Sequence, residues 1–320
     1  MSVSSHSESF CRNFLTKKEF ARVLILYSIA WRKNFVMEKM GILGPRGTHS
    51  EAAAVKLNEI LNEKFELVIF KEIFEALNAV EEKKVDAAFV PVENSLEGSI
   101  NITLDTLAHS DSLIVSRELV YPVHNFLMAR EFINFLSVKK IFSHSQPISQ
   151  CRNYLQKNFP TAEINSVSST ARAAEIVAKS EIEEGFAAIC SERAGNLNNL
   201  KTLAKEIQDN NSNCTRFLEV RCRQKNFDIF KMNGEKNLII CQIDGSKPGA
   251  LYEVLGEFTR RNVNMTRIES RPARTKLGEY IFFFDLEVDS DKKFLFESVE
   301  AVSRKSIWLK NLGIFPVIRA

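Results

Sequence analysis

The 320-residue sequence lacks the signatures of several large functional classes. Its six cysteines are scattered with no C-x-x-C pair, which argues against a zinc site or a disulfide frame and for reduced thiols in the cytoplasm. It has no dense lysine and arginine block, and 43 basic against 40 acidic residues leave a net charge of only +3, so nothing points to nucleic acid. The apolar stretch Val23–Trp31 is nine residues long, where a membrane-spanning helix needs about 20. Gly44-Pro45-Arg46-Gly47 lacks the G-x-G-x-x-G arrangement of a dinucleotide site. No internal repeat or low-complexity segment stands out. What remains, 45% hydrophobic and 26% charged residues, is the composition of a globular protein long enough for a sizeable core.

Residues 1–39 differ from the rest. Lys17, Lys18, Arg22, Arg32 and Lys33 flank the apolar stretch. The segment reads as a dispensable leader, with Met37 or Met40 as the true start, or as an amphipathic docking helix or targeting segment. From Met40 onward short apolar runs alternate with helical patterns, as in α/β domains. Strands are expected at 40–43, 66–70, 85–90 (ending at Pro91), 112–120 and 124–129, with helices at 50–61, 73–82 and 102–108. A second set has strands at 140–143, 163–167, 186–189 and 215–221 and helices at 148–157 and 171–179. Two such sets with a late returning strand suggest two lobes around a cleft. Residues 227–235 read as a linker. Residues 236–320 then give β-α-β-β-α-β, the ferredoxin-like order.

Hydroxyl-rich motifs sit at the strand-to-helix junctions of the first two sets. They are Gly44-Pro45-Arg46-Gly47-Thr48-His49-Ser50, Glu93-Asn94-Ser95-Leu96-Glu97-Gly98-Ser99 and Ser168-Ser169-Thr170-Ala171, followed by Thr215-Arg216-Phe217. Such junctions present backbone N–H groups and hydroxyls to one spot, which suits a compact organic acid. With Val90-Pro91-Val92 ahead of Glu93 and with Ser143-His144-Ser145-Gln146, their order resembles the prephenate dehydratase family from about Met40 to the C-terminus. The resemblance implies a catalytic domain over 40–225, a periplasmic-binding-protein-like two-lobed cleft, prephenate as substrate and no cofactor or metal. The sequence departs from the family pattern at Ser145 and Pro147, at His49, where an aromatic is common, and at Asn198-Asn199.

By motif position the resemblance implies that Thr215 is the family's catalytic threonine, donating a hydrogen bond to the departing hydroxyl or relaying a proton from a better acid. Glu93, Glu97 and His144 are the acids at hand; the carboxylates read equally as caps on the helix near Asn101, and His144 as structural. Arg216 could pair with a substrate carboxylate. It alternates with Thr215 along a strand, however, so the other reading is a structural ion pair. Arg46 is the alternative carboxylate partner. Thr48, Asn94, Ser95, Ser168, Ser169 and Thr170 are candidate neutral donors to substrate, or helix caps. Neutral donors suit a decarboxylation, because a strong cation would hold the charge that must flow into the ring. Phe217 is expected to pack beneath the site.

In the C-terminal unit, Gly249-Ala250-Leu251 and Glu269-Ser270-Arg271-Pro272 resemble the phenylalanine-recognising segments of the ACT regulatory domain. The resemblance implies L-phenylalanine as allosteric effector. The bare reading is a turn into a helix and a solvated arginine. The run Ile281-Phe282-Phe283-Phe284 puts aromatics on both sheet faces, and an apolar outer face suggests a homodimer or homotetramer. Arogenate in place of prephenate, or an amino-acid sensor without catalysis, are the alternatives.

Overall fold

The computed structural model describes residues 37–62, 65–225, 227–276 and 278–320. The extension expected over residues 1–39 lies outside the described residues up to residue 36.

The first lobe is built on a seven-stranded sheet. Strands β1 (Lys39–Leu43), β2 (Glu66–Phe70) and β3 (Ala87–Asn94) run parallel, with β1 between the other two. Strands β5 (Leu113–Pro122) and β11 (Cys214–Cys222) extend it, β11 lying antiparallel between β3 and β5. The short β4 (Gly98–Ser99) folds back on the end of β3. Helix α1 (His49–Leu61) covers one face over Met40, Ile42, Phe89 and Phe217. Helices α2 (Ile73–Glu81) and α3 (Asn101–His109) cover the other over Ala88, Val90, Leu218 and Val220. Alternation along β11 therefore sends Phe217 to the α1 side and Leu218 to the α2–α3 side.

The expected strand end at Pro91 is not observed; β3 runs through it to Asn94. The reason is a register shift opposite Arg216 and Phe217, which leaves one extra residue on β3. A bulge tolerates the missing proline N–H, and it also re-aims Asn94 to lie opposite Thr215.

The second lobe is a five-stranded sheet of β6 (Phe126–Ala129), β7 (Lys140–Ser143), β8 (Glu163–Ser166), β9 (Phe186–Cys190) and β10 (Lys201–Ala204), in the order β10-β6-β9-β7-β8. The single helix expected at 148–157 is two, α4 (Ser145–Gln150) and α5 (Arg152–Asn158). Asp209 explains the break: its carboxylate accepts from the N–H groups of Asn153 and Tyr154 at 2.9 and 3.1 Å, capping a new helix start. Helices α6 (Thr170–Lys179) and α7 (Glu192–Leu197) complete the lobe. The chain crosses between lobes twice, and the crossings are tied where Val123 N–H donates to the Asn213 carbonyl at 2.9 Å.

The C-terminal unit has β12 (Lys236–Ile243), α8 (Ala250–Arg260), β13 (Met265–Pro272), β14 (Tyr280–Glu287), α9 (Lys293–Lys305) and β15 (Ser306–Phe315), with sheet order β13-β14-β12-β15. The helices pack on Ile239, Cys241, Phe284 and Ile314. Its opposite face does not await a second copy as expected. Leu238, Ile240, Ile281, Phe283, Leu312 and Phe315 pack against Leu77, Leu104 and Leu107 of the first lobe, in one continuous core. After β15 the chain returns to the first lobe: β16 (Val317–Arg319) pairs parallel with β5.

Among the described residues no helix is long and apolar enough to cross a membrane, and no cluster of His, Cys, Asp or Glu could hold a metal ion.

Candidate active site

The ends of β3 and β11 meet one wall of a cavity of about 270 Å³ between the lobes. The first lobe contributes His49, Asn94, Glu97, Ser99, Thr215 and Phe217; the second contributes Gln146, Pro147 and Gln150. Larger hollows of about 830 and 970 Å³ flank the 227–235 linker, but neither contains any of the junction motifs.

Thr215 lies almost buried at the cavity wall. Asn94 holds it. The Asn94 carbonyl oxygen accepts from the backbone N–H of Leu96 and of Glu97, at 3.0 and 3.2 Å, so its amide nitrogen must face the other way. That nitrogen donates to Thr215 Oγ1 at 3.0 Å, to Asn213 Oδ1 at 2.9 Å and to the Cys214 carbonyl at 3.2 Å. Because Asn94 can only donate here, the Thr215 oxygen is the acceptor and its own proton is left for another partner. Among the described residues that O–H makes no hydrogen bond, and it is the donor that the cavity receives. Phe217 packs beneath, stacked on Phe89 with ring centroids 5.0 Å apart.

Among the described residues no lysine or arginine lines this cavity. His49 lines it, and burial, with His124 nearby, pushes its imidazole down to about 4, so it is neutral near pH 7. Its Nε2 is buried without a partner. Glu97 is the one carboxyl on the wall. Partial burial raises its pKa above the ordinary value, against the opposing pull of His144.

Several expected substrate contacts serve as helix caps or strand clasps instead. Thr48 caps α1, accepting from Glu51 N–H at 3.4 Å, and Ser169 caps α6, accepting from Arg172 N–H at 3.0 Å. His144 caps α4, its Nδ1 accepting from Gln146 N–H at 3.4 Å. Ser95 clasps β11, donating to the Ser212 carbonyl and accepting from Cys214 N–H at 3.0 Å. Ser168 is exposed and Thr170 buried at the start of α6; neither lines the cavity. The first and third motifs nevertheless converge across the lobes. Gly47, at φ +85°, lies so close to α7 and α6 that a Cβ would come within 3.1 Å of Ala194 and 3.4 Å of Ala171. Ser191 donates to the Gly47 carbonyl at 2.8 Å, and Arg193 pairs with buried Glu51 at 2.8 Å.

Of the two readings open for Arg216, a substrate contact and a structural ion pair, its surroundings match the ion pair. Alternation turns it away from the cavity, where it meets both oxygens of Glu118 at 3.1 and 2.7 Å, Glu93 at 2.6 Å and Asp285 of β14 at 2.5 Å. Burial works against its charge, and Asp285, Glu118 and Glu93 more than offset this. Glu93, expected as a proton relay, is likewise committed here, to Arg216 and to Arg267 at 3.3 Å.

In the C-terminal unit Gly249, Ala250 and Leu251 line a pocket of about 240 Å³ with Gly245, Tyr280 and Phe282. Glu269 and Arg271 do not join it. They face the first lobe, where Glu269 accepts from Ser99 at 2.6 Å and Arg271 grips Asp105 with two bonds of 3.0 Å. Ser270 and Pro272 alternate with them and are exposed.

Sequence reasoning missed Asn213, which lies two residues before Thr215 and is nearly fully buried. It also passed over Ser99 and His49, although both stand inside the quoted motifs. The Glu51–Arg193 bridge joins residues 142 apart and has no local signal.

A two-lobed α/β cleft with a donor-lined cavity, carrying a ferredoxin-like unit on one lobe, fits a small-acid enzyme with an attached regulatory-type module. Residues 40–225 match the prephenate dehydratase family and residues 239–295 the ACT domain. The chain belongs to the prephenate dehydratase family. It is 35% identical to the prephenate dehydratase of Methanocaldococcus jannaschii over 85% of this chain and 96% of that one. Identity is also 35% with the Lactococcus lactis subsp. lactis enzyme, over 87% of this chain and 98% of the relative. A solved prephenate dehydratase from Arthrobacter aurescens, in complex with L-Phe, superposes with a TM-score of 0.77 at 30% identity, over 87% of this chain and 90% of that one.

Proposed function

We propose that this chain converts prephenate to phenylpyruvate, carbon dioxide and water, with Thr215 at the centre of the reaction. The observation that carries this is the Thr215 hydroxyl, held as an acceptor by Asn94 with its proton turned loose beside the cavity. The bond from the ring to its carboxylate breaks, its electron pair enters the ring, and the carbon–oxygen bond para to it breaks. The departing oxygen takes a proton and leaves as water, and aromatisation drives the sequence. A threonine hydroxyl is too weak an acid to give up its proton outright near neutral pH. Its bond strengthens as charge builds on the leaving oxygen, and Glu97 on the same wall supplies the proton. Neutral groups around the carboxylates, Asn94, Ser99, Gln146 and uncharged His49, leave the electrons free to move into the ring.

In this reading residues 40–225 catalyse and residues 236–320 regulate. L-phenylalanine is the effector, taken up at the Gly249-Ala250-Leu251 pocket. A homodimer or homotetramer in the cytoplasm remains part of the proposal, now through the outer edge of β13, which among the described residues pairs only with β14. Sedimentation showing only monomer at micromolar concentration would remove it.

The deciding experiment measures phenylpyruvate formation from prephenate and, in parallel, phenylalanine formation from arogenate, for wild type and Thr215→Val. Turnover of prephenate that collapses in the variant supports the reading. Preference for arogenate would move the substrate, and inactivity on both, with L-phenylalanine still bound, would leave a sensor.

A further inference from the structure

The cavity wall and the regulatory sheet share one hydrogen-bonded side chain. Ser99 lines the cavity with Thr215. Its hydroxyl donates to Glu269 at 2.6 Å and accepts from Arg267 Nη2 at 2.6 Å, and both partners come from β13 of the C-terminal unit. Arg267 also donates to Glu269 at 3.3 Å, closing a three-membered ring of contacts. Its Nε lies 3.3 Å from Glu93, the residue before Asn94. Arg267 is thus bound to both ends of the Glu93–Ser99 turn, and within that turn lies the Asn94 amide that orients Thr215. The arginine side chain is only 10% exposed, so water does not replace these bonds cheaply.

We propose that Arg267 and Glu269 of the C-terminal unit are positioning residues for the catalytic cavity, acting through Ser99 and the Glu93–Ser99 turn. They touch no reacting atom. They fix the turn that carries Asn94, and Asn94 fixes the Thr215 hydroxyl. The catalytic lobe is therefore incomplete without β13. Because Pro272 at the end of the same strand lies opposite Tyr280, which lines the Gly249 pocket, the strand reaches from one cavity to the other. The proposal rests on the reading that the Thr215 cavity is catalytic, and the test separates the two.

Arg267→Met, Arg267→Lys, Ser99→Ala and the Arg267→Met/Ser99→Ala pair are compared with the wild-type chain for kcat, KM, Tm and amide exchange over residues 94–100. Misplacement of a reacting group costs up to about 100-fold. The expected result is a fall in kcat of about 10- to 100-fold in Arg267→Met with little change in KM, most of it recovered in Arg267→Lys. Arg267→Met should cost less in a chain that already lacks the Ser99 hydroxyl than in wild type, since their shared contact is then gone and only the bond from Arg267 to Glu93 is left to lose. Exchange of the 94–100 amides, held by Asn94 and by the Val92 and Cys214 carbonyls, should quicken. An unchanged kcat, losses that multiply in the double variant, or unaltered exchange would overturn the proposal. Should wild type turn over neither prephenate nor arogenate, the catalytic reading falls, and the exchange comparison still decides whether Arg267 holds the turn.

Discussion

The two faces of strand β11 are chemically opposite. Toward the lobes it offers Thr215 and Phe217 to a cavity lined, among the described residues, by no lysine or arginine. Toward the C-terminal unit it offers Arg216 to a seam where three cations, Arg216, Lys236 and Arg267, meet four carboxylates, Glu93, Glu118, Glu269 and Asp285. One residue of offset separates the two. In the proposed function, the difference means that the motif's arginine serves placement while its threonine serves chemistry. Charge is gathered where it fastens domains and kept from where it would trap a leaving carboxylate.

Thr215→Val should lose about 100- to 1000-fold in turnover, roughly 2.7–4 kcal/mol of transition-state stabilisation, with Tm nearly unchanged. A variant that kept its turnover would erase the distinction between the faces. Arg216→Met should do the reverse in stability. It strands Glu118, 0% exposed, and Asp285, 2% exposed, without their main partner. Breaking a buried pair costs about 3–5 kcal/mol, readable by chemical denaturation. An Arg216→Met protein of wild-type stability would show the seam to be ornamental. Glu97→Gln sharpens the cavity side. Its raised pKa carries the acid form, and the turnover depending on it, to higher pH than an ordinary carboxyl would before both are lost as pH rises further. The variant should be slow throughout and show no such alkaline fall in its pH–kcat profile.

Glu118 tests the seam side by pH. Burial opposes its charge, but Arg216 and Lys236 hold its carboxyl below the ordinary value. The stability it contributes is therefore present above the usual carboxylate range and lost as pH falls below about 4.3 toward the depressed value. Tm measured across that range should drop more steeply in wild type than in Glu118→Gln. The smallest effect on the basal reaction is expected of Gly245→Leu. A Cβ at Gly245 meets nothing closer than 3.4 Å, so the new side chain fills the Gly249 pocket without strain. The L-phenylalanine response should vanish while turnover without effector stays close to wild type. A retained response would move the effector elsewhere.

Element order was legible because hydrophobic periodicity and the turn residues agree. The strands at 66–70 and 140–143 and the ferredoxin-like order can all be read from the chain. Pro91 misleads because a proline looks like an end until its bulge partner, 125 or so residues away on β11, is known. The site was half legible. Thr215, Asn94 and Glu97 stand in motifs and do meet one cavity, whereas Thr48, Ser95 and Ser169 carry the same hydroxyl chemistry and spend it on backbone N–H groups. Sequence cannot separate a cap from a ligand contact, because both need a small oxygen at a helix start. The role of Arg216 depended on Asp285, which no local pattern joins to it.

The return of β16 to the first lobe has a consequence for synthesis. Val317–Arg319 form the outermost strand beside β5, and Ala320 N–H donates to the Val120 carbonyl at 3.1 Å. The catalytic sheet therefore cannot be finished as residues 40–225 emerge from the ribosome. Until residues 317–319 are made, β5 remains an open edge of the kind that recruits foreign strands. The regulatory unit is threaded between two parts of the sheet it serves, so a nascent chain acquires its completed first lobe and its effector module in the same final step.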